Sequence, residues 1–476
     1  MAGDPTREAA FALLTAVFER RRTLEDALNA LPASDARDRA AGHRLAAAVL
    51  RRTGTLDAVL EPMMRKAPPD KVRNVLRIGA AGLLLLDMPP HAAVATAVAL
   101  ARTVGLTPFA GLVNAVLRKV AAGGRTLLDG LDSPRGRARA ARALLRGGEE
   151  EQQVAALVRR LGVDVVHAHN LHPLFGFRAL RAARAAGART VLQLHNFRLV
   201  CAIAVAYRDG AVCHRCSGRN TLPGLRLRCR GGLAESAVYA AGLARQQPRI
   251  LAATDRFITL SEATRTELGT LGLPLERTDV ISNPLPERAF RAASQAHNGS
   301  YALCVGRLVP EKGFDVAVRA ARAAGVPLKI AGRGPDEARL RRLSGDADVE
   351  LLGEIDRAEL ERVRSGAAVQ LAPSRCEEQS PYAVLEAMAG AVPVLVSTLG
   401  GLPELAGAEA SLPPADSTAW ARSLGALWSD PQERRRQGDS ARARAWARAA
   451  PAQAYAALVD SYRRAGAERD PHARTT

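Results

Sequence analysis

Between residues 5 and 122 apolar side chains recur three and four positions apart: Phe11, Leu14 and Phe18; Leu76, Ala80 and Leu83; Val94, Ala97, Val98 and Ala101; Val113, Val116, Leu117 and Val120. That period lays an apolar stripe along one face of a helix, and no alternating strand pattern interrupts it. Pro89-Pro90 separates one helix from the next, because proline lacks the N–H that a helix interior needs. The pattern predicts an all-α bundle. From Val154 onward the pattern changes. Short apolar runs at 164–168, 190–194, 257–260, 302–305, 328–330, 368–371 and 392–396 alternate with helical stretches and read as buried parallel strands. Such alternation predicts doubly wound α/β domains with sites at the carboxyl ends of the strands.

Between these parts, Gly123-Gly124, Gly130, Ser133-Pro134 and Gly147-Gly148 surround an arginine-rich stretch. Residues 123–150 therefore read as a linker with a short helix over 137–145. The N-terminal stretch Met1-Ala2-Gly3-Asp4-Pro5-Thr6-Arg7-Glu8 lacks a signal peptide's apolar core, and the longest apolar run, 78–86, falls well short of the roughly 20 residues that cross a bilayer. The expected location is cytoplasmic, with peripheral contact at the inner membrane face compatible with it. A formal charge of +19 favours anionic partners such as nucleotide phosphates, RNA or an acidic membrane surface. Arginine spread over a solvated face explains the same number equally well.

The densest candidate chemistry lies late in the chain. Glu378 and Glu386 stand eight positions apart in Ser374-Arg375-Cys376-Glu377-Glu378-Gln379-Ser380-Pro381-Tyr382-Ala383-Val384-Leu385-Glu386. Carboxylates accept hydrogen bonds from paired hydroxyls, which suits a polyhydroxylated ligand. Glu386 is expected to open an Ala-Met-Ala helix, whose N-terminus favours negative charge. Upstream, Gly306-Arg307 and Lys312-Gly313 place two cations around a glycine turn after an apolar strand, and Gly332-Arg333-Gly334 follows the next strand. Together these segments resemble the C-terminal half of a family 4 glycosyltransferase of the GT-B type.

That resemblance implies a retaining transfer from a UDP- or GDP-sugar to a glycan or lipid-linked acceptor, in polysaccharide biosynthesis and without a catalytic metal. By it, Arg307 and Lys312 neutralise the leaving diphosphate and Glu378 orients the donor sugar. Glu386 holds the ribose, Gly306, Gly332 and Gly334 admit the backbone close to the nucleotide, and Glu354 lies near the base. Gly400-Gly401-Leu402-Pro403-Glu404 reads as a further donor-side loop. In the preceding half, His169 and His195 follow strands and are placed to hydrogen-bond sugar or acceptor, His195 first. Cys201, Cys213, Cys216 and Cys229 form Cys-x11-Cys-x2-Cys-x12-Cys, which suits a structural zinc or a thiol cluster.

The helical part carries Arg37-Asp38-Arg39-Ala40, 50–57, 76–81, 90–94 and Leu112-Val113-Asn114-Ala115-Val116-Leu117-Arg118-Lys119-Val120 in order. It resembles the NusB-like RNA-binding domain of RsmB-type rRNA cytosine-5 methyltransferases, and Arg7, Arg20, Arg21, Arg22, Arg51 and Arg52 are candidates for phosphate contact. No glycine-rich S-adenosylmethionine loop or Pro-Cys dipeptide follows, so methyl transfer is not expected. The organisation expected is a NusB-like domain (1–122), a linker (123–150), a GT-B N-terminal domain with a cysteine-rich insertion (151–295), a GT-B nucleotide-sugar domain (296–465) and a disordered tail (466–476). No leading strand is legible before 163, so the first α/β domain is expected to be truncated. The alternative class is an RNA-binding protein joined to an inactive transferase-like domain.

Overall fold

The structure, a computed structural model, describes residues 4–20, 22, 24–31, 35–64, 66–86, 88–131 and 134–466. Arg21 and the expected tail from 467 lie outside them. The chain divides into two compact units, Met1–Arg139 and Ala140–Thr476.

The first unit is helical throughout its described residues, with helices Pro5–Phe18, Leu24–Asn29, Ala36–Arg51, Thr53–Leu60, Asp70–Leu84, Pro90–Thr103 and Ala110–Leu131. Its start is fixed by the Asp4 carboxylate, which accepts from the Arg7 N–H at 3.1 Å, with proline in the first turn. Leu14, Leu56, Leu76, Leu100 and Leu117 share one continuous apolar core. Inside it Arg77 donates to both carboxylate oxygens of Asp57 at 2.8 and 2.6 Å, and to Asn74 at 2.9 Å. The fork satisfies a charge that burial would otherwise penalise heavily.

The stretch read as a linker is mostly helix. Ala110–Leu131 runs through Gly123 and Gly124, and Pro134–Arg146 follows. Glycine weakens a helix by about 1 kcal/mol relative to alanine, but Gly124 is buried, and a side chain there would press on Val120, Val59 and Leu84. Close packing overrides propensity at this point.

The second unit holds two parallel sheets. The strands are Val165–His169 (β1), Arg189–Gln193 (β2), Tyr207–Arg208 (β3), Ala211–Val212 (β4), Arg256–Thr259 (β5), Thr278–Val280 (β6), Tyr301–Val305 (β7), Leu328–Ala331 (β8), Val349–Gly353 (β9), Ala367–Ala372 (β10), Val394–Ser397 (β11) and Ser411–Leu412 (β12). The first sheet has the order β1-β2-β5-β6 and the second β12-β11-β10-β7-β8-β9; β3 and β4 form a small antiparallel hairpin. Seven of these strands coincide with the apolar runs read from sequence; β6, β9, β12 and the hairpin were too short or too polar to stand out.

In the second sheet the chain winds from β7 outward through β8 and β9, then returns to β10 and winds the other way. The neighbours β7 and β10 therefore mark a switch point, where diverging loops open a crevice at the carboxyl ends. Residues 140–163 hold helix and turn but no strand, so β1 is the first strand of its sheet and lies at its edge. The last helix, Pro451–Arg464, returns to this sheet: Ala457, Leu458 and Tyr462 pack with Val165, Val191 and Ile258. It is anchored by Ser461 Oγ donating to Asp279 at 2.7 Å and by Arg464 paired with Asp279 at 3.0 Å.

Candidate functional site

Three loops of the second sheet meet at the switch point. After β7, Gly306 and Gly332 approach so closely that a side chain on Gly332 would lie 1.8 Å from the Gly306 carbonyl oxygen, and both have positive φ. Only glycine permits that contact. Gly334 packs likewise on the Leu308 carbonyl. The chain then forms the short turn Pro310–Lys312, and Gly313, left-handed at φ 68°, starts the helix Phe314–Ala324. After β10, residues 373–381 carry Glu378. Its carboxylate pairs with Lys312 Nζ and accepts from Ser374 Oγ at 2.9 Å. Arg307 projects into solvent, 68 % exposed, at 4.0 Å from Glu311.

The first sheet brings its histidines to the same place. His195, just past β2, and Arg307, Glu311, Lys312, Glu377 and Glu378 line one open cleft. His195 Nε2 and His169 Nδ1 are 2.7 Å apart, with rings stacked at 5.0 Å between centroids. Burial holds His195 below the ordinary imidazole range, helped by the adjacent His169, and burial does the same to His169. Both are therefore neutral near pH 7 and act as hydrogen-bonding groups. Behind them, His167 Nδ1 meets the Tyr462 hydroxyl at 2.9 Å, and burial lowers the pKa of His167 to about 4. No local pattern points to Tyr462, which lies 295 positions from His167.

Cys201, Cys213, Cys216 and Cys229 line one apolar cavity beside Phe197 and His214, and all are free thiols. Burial pushes Cys216 up to about 11 and raises Cys229 as well. The donor chemistry suits zinc, and the four residues share the cavity wall, but among the described residues no three of their sulfurs lie within 4.8 Å of one another. Among the described residues, though, the group whose ligand atoms all lie within 4.8 Å of one another is His214, Glu267 and Glu377. That trio is an ion-pair bridge: His214 Nδ1 meets Glu267 Oε1 and His214 Nε2 meets Glu377 Oε2, each at 2.6 Å. Two carboxylate acceptors favour an imidazole that carries a proton on both ring nitrogens. The hydrogen bond to Glu377 accordingly raises its pKa. Both ring nitrogens are thus engaged by carboxylates.

Glu386 departs from expectation. The helix begins at Tyr382, just after Pro381, and Glu386 sits in its second turn. The helix N-terminus therefore lends this carboxylate nothing. Instead Glu386 accepts from Arg364 at 2.8 Å and faces a separate concavity with Arg288, Arg291, Ile355 and Arg357. Glu354 is exposed in the turn after β9 and lines neither space. The Gly400-Gly401 turn backs onto the Glu378 loop, with the Gly401 N–H donating to the Glu378 carbonyl at 2.7 Å. Glu404 accepts from the N–H groups of Glu262 and Ala263 at 3.0 and 2.6 Å, capping the helix Glu262–Thr270. Sequence reasoning missed His214 and Glu377, although His214 lies inside the Cys-x2-Cys pair and Glu377 adjoins Glu378.

Residues 4–122 match the NusB family model. Residues 299–430 match the model described as glycosyl transferases group 1, and residues 91–284 that of the glycosyl transferase 4-like domain. Among curated proteins, the chain is 40% identical over 123 residues to ribosomal RNA small subunit methyltransferase B of Xanthomonas campestris, covering 25% of this chain and 28% of that protein. It is 30% identical over 174 residues to the amylovoran biosynthesis glycosyltransferase AmsK of Erwinia amylovora, covering 33% of this chain and 43% of that protein. The chain thus spans less than half the length of either relative. Among solved structures, sucrose-phosphate synthase from Thermosynechococcus elongatus aligns at 20% identity with a TM-score of 0.50, covering 67% of this chain and 77% of that one. That likeness shows the GT-B type of fold. The chain joins a NusB-type helical region to glycosyltransferase-type α/β domains in one polypeptide.

Proposed function

We propose that the α/β unit is a retaining glycosyltransferase that takes its sugar from a UDP- or GDP-sugar. The observation that carries this reading is the cleft at the switch point, where Arg307, Lys312 and Glu378 face His195 across the two sheets. Departure of a nucleoside diphosphate leaves negative charge on its outer phosphate. Lys312 and Arg307 are cations held at a strand end where the backbone can approach, so they stabilise that charge as it develops. Glu378, held by Lys312 and Ser374, accepts hydrogen bonds from sugar hydroxyls, and neutral His195, backed by His169, hydrogen-bonds sugar or acceptor. Glu386 receives the ribose hydroxyls, with Arg364 fixing its orientation. The likeness to an amylovoran transferase supports a glycan or lipid-linked acceptor.

In the helical unit Arg20, Arg22, Arg51 and Arg52 are exposed, whereas Arg7 is paired with Asp4. The four exposed arginines are the ones available to RNA phosphates, and such binding weakens steeply with salt. Cys201, Cys213, Cys216 and Cys229 would hold a structural zinc, whose role is to tie the insertion together. Purified protein should then carry about one zinc per chain, lost in Cys213→Ser with a lower melting temperature. Metal-free protein of unchanged stability contradicts the zinc assignment. Among the described residues no helix is long and apolar enough to cross a membrane. A panel of UDP- and GDP-sugars assayed for hydrolysis tests the transferase reading; release of nucleoside diphosphate from none of them counts against it.

A further inference from the structure

We propose that the cysteine-rich segment 201–229 positions the cleft carboxylate Glu378, acting through His214 and Glu377. The inference rests on the donor role given to Glu378 above, and its evidence is the way the Glu378 loop is held. Three residues around Glu378 are gripped by the first half of the unit. Glu377 meets His214 Nε2 at 2.6 Å. The Gln379 amide, oriented so that both its ends are satisfied, donates to the Leu194 carbonyl at 2.8 Å and accepts from the Asn196 N–H at 3.0 Å. The Ser380 carbonyl accepts from Asn283 Nδ2 at 2.8 Å, and its hydroxyl meets that of Ser282 at 3.1 Å. Glu378 turns the other way, to Lys312 and Ser374.

Two of these anchors, at Gln379 and Ser380, belong to backbone beside β2 and to the segment after β6. The third is different in kind. His214 lies between Cys213 and Cys216, and its second nitrogen is fixed by Glu267 on the helix Glu262–Thr270. Its ring also packs against Phe197 at 5.6 Å. The imidazole cannot turn without losing both charge-assisted hydrogen bonds, which are the strong class of such contacts. Whatever state the cysteine cavity adopts is thereby transmitted to Glu377 and so to the carboxylate next to it. His214 and Glu377 are positioning residues: they touch neither donor nor acceptor in this reading.

The test has two arms on the full chain. Hydrogen exchange of residues 374–381 is followed without nucleotide in wild type, His214→Ala and His214→Gln. Exchange faster by about tenfold in His214→Ala, and partly restored by the Gln amide donor, is expected from loss of one charged anchor; unchanged exchange overturns the proposal. In the second arm UDP, GDP and their glucose and mannose conjugates are titrated into the same proteins. His214→Ala should weaken the sugar nucleotide by about tenfold while the bare nucleoside diphosphate changes by no more than about threefold, because Arg307 and Lys312 are untouched. Equal weakening of both, or of neither, overturns it. A wild-type chain that binds no nucleotide defeats the donor reading instead, and the exchange arm still decides whether His214 holds the loop.

Discussion

The two sheets of the α/β unit are wound differently, and the difference explains how the labour is divided between them. In the second sheet the chain leaves β7 in one direction and comes back to β10 in the other, so two loops diverge over the crevice and bring Lys312 to Glu378. In the first sheet the strands follow one another, β1-β2-β5-β6, with no reversal. A sheet wound one way offers no crevice of its own, and its histidines stack at a strand edge facing the other sheet's loops. The second sheet's loops bring Arg307, Lys312 and Glu378 to the cleft, while the first sheet's side brings His195 together with Arg198. Under the proposed donor reading, the phosphate contacts fall to Arg307 and Lys312 of the second sheet.

The largest expected effect comes from removing the cation at the switch point. Lys312→Ala deletes a charge-assisted contact worth about 1.5–3 kcal/mol, so nucleoside diphosphate affinity should fall by roughly ten- to a hundredfold. His195→Ala should leave that affinity within about threefold, since its sheet makes no phosphate contact in this scheme. Comparable losses in both variants, measured by calorimetry, would erase the distinction between the sheets.

A second contrast is in acid. His167 and His172, both on the first sheet's side, have pKa values lowered by burial to about 4. The unfolded chain takes up protons near 6.5 that the folded chain refuses, so stability falls as pH drops from 6.5 towards 4. Each contributes up to about 2 kcal/mol after allowance for partial solvent access. His172→Gln should flatten the decline in melting temperature over that interval; an unchanged slope would place the acid sensitivity elsewhere.

A smaller effect separates the two concavities of the second sheet. Glu386→Ala should weaken nucleoside diphosphate by about tenfold yet leave pyrophosphate nearly unchanged, because its assigned partner is ribose. If pyrophosphate weakens equally, Glu386 acts by supporting the loop through Arg364 rather than by touching the ligand.

Much of this was legible in the residues. Apolar runs such as 302–305 and 328–330 are long and pure enough to announce buried strands, and the glycines at 306, 332 and 334 mark backbone contacts that only glycine allows. The helix through Gly123-Gly124 was not legible, since the packing against Val59 and Leu84 that makes glycine useful there is long-range. Glu386 lies one turn inside its helix because Pro381 sets the start, a signal that the spacing of the two glutamates does not carry. The His214 bridge joins residues 163 positions apart, and no local pattern encodes such a pair. Strand periodicity reveals elements; it does not reveal which loop ends meet.

Calorimetric titration of UDP and GDP into the whole chain tests the central claim most directly. The account predicts that one of them binds to the wild-type protein with a single site per chain, and that Lys312→Ala weakens it by at least about tenfold. Absence of binding by either nucleotide, in protein shown to be folded by its melting transition, would contradict it.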